Sequence, residues 1–290
     1  MKHVLLPLSL LLLAAAPKPL GTQATLDATQ ASDWRQLDPA NTLYMETPTG
    51  RVVIELAPDF APNHAANIQT LAREHWFDGV SINRVQENYV TQWGDATEAK
   101  PMGTAKAPLA GEITRSLKGL SLARLPARDT YAPISGFVGG FPVAAGGGKA
   151  WLAHCYGMVG SGRGDGVDSG SGAELYAVIG QAARHLDRNI TVVGRVIQGM
   201  ENLTALPRGT GALGFYEKES ERVPIKSVRL AADVPEGDRT RIELLRTDTP
   251  AWQAYVDVRS HRTRDGFFVV DAGAIDLCNI RVPVRPLKAP

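Results

Sequence analysis

Between residues 42 and 231 the chain keeps returning to one pattern: short apolar or alternating runs, each cut by turn residues. Side chains that alternate in character with a period of two belong to strands, and punctuation at this spacing predicts an all-β barrel or sandwich with minor α content. Strands are expected over residues 42–46 and 51–56, with Thr47-Pro48-Thr49-Gly50 as a hairpin turn between them. Further strands are expected near 80–85, 89–93, 109–113, 150–159, 175–179, 191–196 and 223–230. Two modest helices interrupt them. The first spans 62–74, with Pro62 in its first turn and Ala65, Ala66, Ile68, Leu71 and Ala72 along one face; the second spans 199–206.

The hairpin over residues 80–95 holds the most pointed candidates. Val80, Ile82 and Arg84 alternate with Ser81 and Asn83, and Tyr89 to Trp93 alternates again after Gln86-Glu87-Asn88. Such a hairpin can direct Arg84 and Gln92 to one surface beside Tyr89 and Val90. On spacing alone it is an ordinary strand pair carrying a solvated arginine.

The flanks differ. Lys2 and His3, an apolar run to Leu13 broken by Pro7, and Ala14-Ala15-Ala16 have the order of a cleavable export signal over residues 1–16. The run is too short to span a bilayer. It predicts an exported protein, in a bacterial periplasm. Residues 17–40 read as a linker, 41–231 as the main domain, and 119–150 as a long insertion running over the surface. Residues 232–290 read as a C-terminal extension, with a strand at 241–245, a helix at 249–258 capped by Thr249 and opened by Pro250, and strands at 267–270 and 276–284. Export permits a disulfide between Cys155 and Cys278; two buried thiols fit equally.

Several other signals reduce to plainer readings. A net charge of +1 without a basic stripe gives no footing for nucleic acid. Gly146-Gly147-Gly148-Lys149 lacks the leading glycine and trailing hydroxyl of a phosphate loop. The glycines at 160–164 lack the dinucleotide spacing, and Asp165 and Asp168 lack that of a calcium loop. The six histidines form no metal-binding pair, and His64 reads as a surface residue. No cofactor and no metal are expected.

Motifs in one order change the judgement on Arg84. They run from Thr49-Gly50-Arg51-Val52-Val53-Ile54-Glu55-Leu56 through Ala61-Pro62, Asn67 and Phe77-Asp78-Gly79. Arg84-Val85, Gln92-Trp93-Gly94-Asp95 and Gly172-Ala173-Glu174-Leu175-Tyr176 follow, then Leu186-Asp187 and residues 193–200. Together they resemble the cyclophilin family of peptidyl-prolyl isomerases. The resemblance implies a closed eight-stranded antiparallel barrel capped by two helices. It also implies a catalytic role for Arg84, a positioning and backbone-binding role for Gln92, and a substrate-binding wall formed by Tyr89, Val90, Glu174, Tyr176 and Leu186. The implied partners are proline-containing polypeptides. The chain departs from the family at Ile82-Asn83, where Phe-His is usual, at Glu174 for glutamine, at Val90 for methionine and at Ile190 for histidine.

The implied reaction breaks no bond. Amide resonance sets a barrier of about 18–20 kcal/mol to rotation about X-Pro, and a catalyst need only hold the twisted amide better than either planar form. A fixed cation aimed at the prolyl nitrogen and an apolar slot for the ring supply that. The alternative is a peptide-binding module or holdase with little turnover, motivated by the altered residues around Arg84. An unrelated β hydrolase has no nucleophile–base signature here.

Overall fold

The computed structural model describes residues 19–287. The chain opens with α1 (Thr22–Asp27) and β1 (Trp34–Gln36), then the hairpin β2 (Thr42–Thr47) and β3 (Gly50–Leu56). Helix α2 (Pro62–Arg73) leads to β4 (Ser81–Val85) and β5 (Val90–Gly94). Next come β6 (Arg115–Ser116), β7 (Ala123–Arg124), β8 (Ile134–Val138), β9 (Phe141–Gly146) and β10 (Lys149–Leu152). Strands β11 (Met158–Ser161), β12 (Leu175–Val178) and β13 (Val192–Gln198) follow, then α3 (Glu201–Thr204), β14 (Val223–Pro224) and β15 (Ser227–Leu230). The chain ends with β16 (Ile242–Leu245), α4 (Pro250–Ser260) and β17 (Val284–Pro286).

Nine strands form the main sheet, in the order β14-β4-β5-β12-β11-β13-β3-β2-β15. It is curled into a half-barrel rather than closed as an eight-stranded barrel. The expected single strand over 223–230 is divided. Val223 and Pro224 pair with β4, whereas residues 227–230 pair with β2. Between them Ile225 N donates to Val80 O and Lys226 N to Glu46 O. The two rims are therefore joined by the chain crossing from one to the other, not by a ladder between them, and Pro224 has no N–H with which to extend one.

Inside the curl, alternate residues of β2, β3, β4, β5 and β12 meet the apolar face of α2. Ala65, Ile68, Leu71 and Ala72 of α2 are buried against Met45, Ile54, Phe77, Ile82 and Trp93, the stripe that the helical spacing predicts. His64, expected at the surface, is buried on the same helix and its Nδ1 lies 2.8 Å from Glu112 Oε2. Glu112 also accepts from the N–H groups of Asn63 and His64, at 3.0 and 2.9 Å. A carboxylate thus supplies the cap that Ala61 cannot, at the positive end of the helix dipole.

The supposed surface excursion is a second sheet, in the order β6-β10-β9-β8-β7. Its Phe137, Val143, Ala145, Ala150 and Leu152 are buried. The glycines that read as breakers are hairpin turns. Gly139-Gly140 and Gly147-Gly148 all have positive φ, from 56° to 90°, and each pair joins two strands with a two-residue loop.

Residues 17–40, expected as a linker, contain α1 and β1 within their described part. Strand β1 pairs with β16, which pairs with β17, so both ends of the described chain share one small sheet. Helix α4 packs Trp252 edge-on against Phe137 at 4.9 Å, inside a second core that includes Trp34, Leu152, Met158, Val256 and Ile280. Cys155 and Cys278 are disulfide-bonded beside it. The strands expected at 267–270 and 276–284 do not form, apart from β17 at the very end; Phe267, Val269 and Val270 are exposed, and among the described residues no strand pairs with them.

Thr249 caps α4 as the sequence predicts, its Oγ1 accepting from Trp252 N at 3.4 Å. Thr249→Ala is expected to cost about 1 kcal/mol of unfolding free energy, measurable as a shifted urea midpoint at unchanged slope. No helix among the described residues is long and apolar enough to cross a membrane. The basic, apolar and small-residue segment at 1–16 lies outside the described residues.

Candidate active site

Simple alternation along β4 would send Arg84 to the same face as Ile82, into the core. A bulge prevents this. Ile82 lies opposite Trp93 and Arg84 opposite Gln92, with Asn83 as the extra residue between them. Ile82 and Val85 consequently both enter the core, three positions apart, and Arg84 is turned out beside Gln92. Tyr216 N donates to the carbonyl of the bulged Asn83 at 3.0 Å, and the Asn83 Oδ1 is buried with no partner among the described residues.

The guanidinium is held on three sides. Its Nη1 donates to Gln92 Oε1 at 3.0 Å, its Nη2 to Gln86 Oε1, and its Nε to the carbonyl of Leu213 at 2.7 Å. Leu213 has φ +56°, in a turn that also brings Phe215 against Arg84. The cation lies 5.6 Å from the Tyr89 ring centroid and 5.2 Å from that of Phe215. Burial draws its pKa below the usual arginine value, opposed by Tyr89 and by the Glu174 carboxylate. It stays charged at neutral pH. Three of five N–H donors are occupied in this arrangement, leaving two for a ligand.

Gln92 continues the chain of contacts, its Nε2 donating to Glu174 Oε1 at 2.5 Å. A carboxylate only accepts, so the amide must turn its nitrogen to Glu174 and its oxygen to Arg84. On the same outer face, Gln92 lies opposite Tyr176 and Val90 opposite Val178. Val90, Tyr176 and Val178 form a buried apolar cluster, with Tyr89 and Ile190 packed on it. Gly160 of β11 pairs with Tyr176, and a Cβ there would overlap the tip of the tyrosine ring.

Tyr176 is anchored from behind. Its hydroxyl lies 3.0 Å from His154 Nε2, and His154 Nδ1 lies 3.2 Å from Asp187 Oδ1. Asp187 also accepts from His154 N, Trp151 Nε1 and Arg184 Nε. Arg184 in turn is paired with Asp129 at 2.8 Å. Burial pushes the Asp187 pKa up, but the hydrogen bonds from His154 and the charge of Arg184 outweigh it and hold the carboxyl below its usual range. Burial pushes the Tyr176 phenol up, so it stays protonated.

Arg84, Gln92, Glu174, Tyr89, Val90 and Tyr176 are thus brought together on one face. Leu186 sits on the short turn Arg184–Leu186, half-buried and outside the apolar cluster; its neighbour His185 stacks on Tyr89 at 6.2 Å. Gln86, the Leu213 carbonyl and Phe215 were not foreseen. The last two come from a loop some 130 positions away, and no local pattern announces them. A cleft of about 390 Å³ opens elsewhere, beside the Cys155–Cys278 bridge and Arg195, and shares no lining residue with this cluster.

A family model described as cyclophilin type peptidyl-prolyl cis-trans isomerase/CLD matches residues 42–230. The probable peptidyl-prolyl cis-trans isomerase of Brucella suis biovar 1 is 27% identical over 194 residues, which is 64% of this chain and 81% of that protein. The human peptidyl-prolyl cis-trans isomerase-like 1 is 24% identical over 195 residues, covering 67% of this chain and 92% of its own. Among solved structures, that of cyclophilin AquaCyp293 from Hirschia baltica superposes with a TM-score of 0.70 at 25% identity, over 92% of this chain and 97% of that one.

Proposed function

The chain belongs to the cyclophilin-type peptidyl-prolyl cis-trans isomerase family and is an isomerase of that type, and from that premise we propose that Arg84 is its catalytic cation and the Tyr89–Val90–Tyr176 wall its proline pocket. The observation that carries this reading is the fixed guanidinium: half-buried, held by Gln92, with two donors unspent next to strands that carry the Val90–Tyr176–Val178 cluster. The ring of a prolyl residue rests on Val90 and Tyr176. As the amide twists, the prolyl nitrogen gains a localised lone pair, and a free Arg84 N–H donates to it. Planar cis and trans forms offer no such acceptor, so the contact is stronger in the transition state than in either ground state. Gln92, with its amide oriented by Glu174, keeps the cation in place and offers polar contacts to the backbone of the bound peptide. Leu186 and His185 flank the entrance.

Clients are proline-containing polypeptides that share the exported compartment implied by residues 1–16. The test is NMR exchange spectroscopy on an Ala-Pro peptide with the purified protein. Accelerated cis-trans exchange is expected; binding that leaves the exchange rate unchanged would replace this reading by that of a holdase. Gly160→Ala probes the wall. The new methyl displaces the Tyr176 ring by about 1 Å, and kcat/KM is expected to fall roughly 10- to 100-fold with an unchanged far-UV spectrum.

A further inference from the structure

We propose that His154 is a positioning residue for the proline pocket: clamped by Asp187, its imidazole holds the Tyr176 hydroxyl and so sets where the pocket wall stands. The inference rests on the reading of Tyr176 as part of that wall.

The direction of each hydrogen bond follows from the chemistry of the partners. Asp187 is an ionised acceptor, so the His154 Nδ1 facing it at 3.2 Å carries the ring proton. Nε2 then presents a lone pair to the Tyr176 hydroxyl 3.0 Å away, and the phenol donates. The His154 backbone N–H donates to the same Asp187 oxygen at 2.9 Å, so main chain and ring are fixed by one atom. The other Asp187 oxygen takes Arg184 Nε at 2.7 Å and Trp151 Nε1 at 3.2 Å. Tyr176, His154, Asp187 and Arg184 are all at least nine-tenths buried. A fully satisfied network in a low-dielectric interior is stiff, because any shift of one member leaves another without its partner.

The network also has a source. Trp151 lies in β10, His154 comes two residues after the end of that strand, and Asp129 precedes β8. Three of its members thus come from the added sheet or its borders, while Tyr176 lies in β12 of the main sheet. On the outer side of the ring, Gly160 contributes no side chain that could hold it. Packing alone would let the tyrosine slide over that glycine; the hydroxyl tether prevents it.

The test uses the two isosteres of histidine. His154→Asn keeps a donor near the Nδ1 position for Asp187 and loses the contact with Tyr176; His154→Gln keeps an acceptor near the Nε2 position. Tyr176→Phe removes the hydroxyl alone. His154→Asn and Tyr176→Phe are each expected to raise KM for an Ala-Pro peptide about five- to tenfold, with kcat changed less than about twofold. The double variant should be no worse than either single one. His154→Gln should retain KM within about twofold of wild type. Losses that multiply in the double variant, or a Gln variant as poor as the Asn variant, overturn the proposal.

If the variants fail to fold, long-range ¹H–¹⁵N spectra of the wild-type protein decide. A bare Nε2 on His154 that shifts on adding the Ala-Pro peptide supports the tether, and a protonated or unresponsive Nε2 refutes it. Arg84→Ala assayed alongside separates the two levels. Loss of activity there with unchanged KM in the His154 and Tyr176 variants sinks only the tether, whereas retained activity in the Arg84 variant sinks the site.

Discussion

Arg84→Ala is expected to lower kcat/KM for X-Pro isomerisation by about 10²–10³, or roughly 2.7–4 kcal/mol of transition-state stabilisation. The size follows from the proposed role as donor to the developing lone pair, from a guanidinium held 5.6 and 5.2 Å from the Tyr89 and Phe215 rings. Most of the loss should fall on kcat, since the planar peptide gains little from this contact. The fold should survive. Arg84 is turned out of the core by the Asn83 bulge, and Gln86 and Gln92 retain other partners or solvent. Arg84→Lys keeps the charge without the planar fork and should be intermediate. A protease-coupled assay measures both variants, and an alanine variant within threefold of wild type would remove Arg84 from the mechanism.

Asp187→Ala is expected to destabilise the fold by about 3–5 kcal/mol, the usual effect of removing one partner of a buried ion pair. It leaves Arg184 Nε, the Trp151 indole N–H and the His154 backbone N and Nδ1 without the acceptor they now share, with only Asp129 left on Arg184. In a chain of this size that is a fall of roughly 6–20 °C in Tm. The effect has a pH signature. The Asp187 carboxyl titrates lower in the folded than in the unfolded chain, because His154 and Arg184 favour its ionised form despite burial. Its contribution is therefore fully present above the unfolded carboxyl value of about 3.9 and is lost as pH falls through the folded one. Urea unfolding of wild type and variant should differ by a near-constant amount above about pH 5, and the gap should begin to narrow as pH falls below about 4. A gap that persists in acid would mean that the charge of Asp187 is not what stabilises.

What could be read from the sequence follows the range of each interaction. The β2–β3 hairpin and α2 are local patterns, and both formed as the spacing predicts. Arg84 and Gln92 share one hairpin, so their pairing was legible, but the bulge that turns Arg84 outward was not: nothing in Ile82-Asn83-Arg84 marks Asn83 as the extra residue. The added sheet was hidden by its own turns. Glycine pairs at 139–140 and 147–148 look like loose chain until it is noticed that strand-like runs flank them. Residues 267–270 err the other way. Two phenylalanines and two valines have strand propensity, yet propensity needs a sheet to join, and among the described residues none pairs with them. Closure of the barrel failed for a similar reason, since a rim-to-rim ladder depends on residues 223–230 staying straight through Pro224. The anchor behind Tyr176 joins positions 129, 151, 154, 176, 184 and 187 and left no periodic trace.

The rims of the three sheets have a colloidal consequence. The edge strands β14, β15, β6, β7, β1 and β17 are each only two to four residues long, and the rims of the largest sheet are bridged by the chain itself. An extended segment from another molecule finds little template on which to zip. An isomerase with such short rims offers other extended chains few places to pair edge to edge.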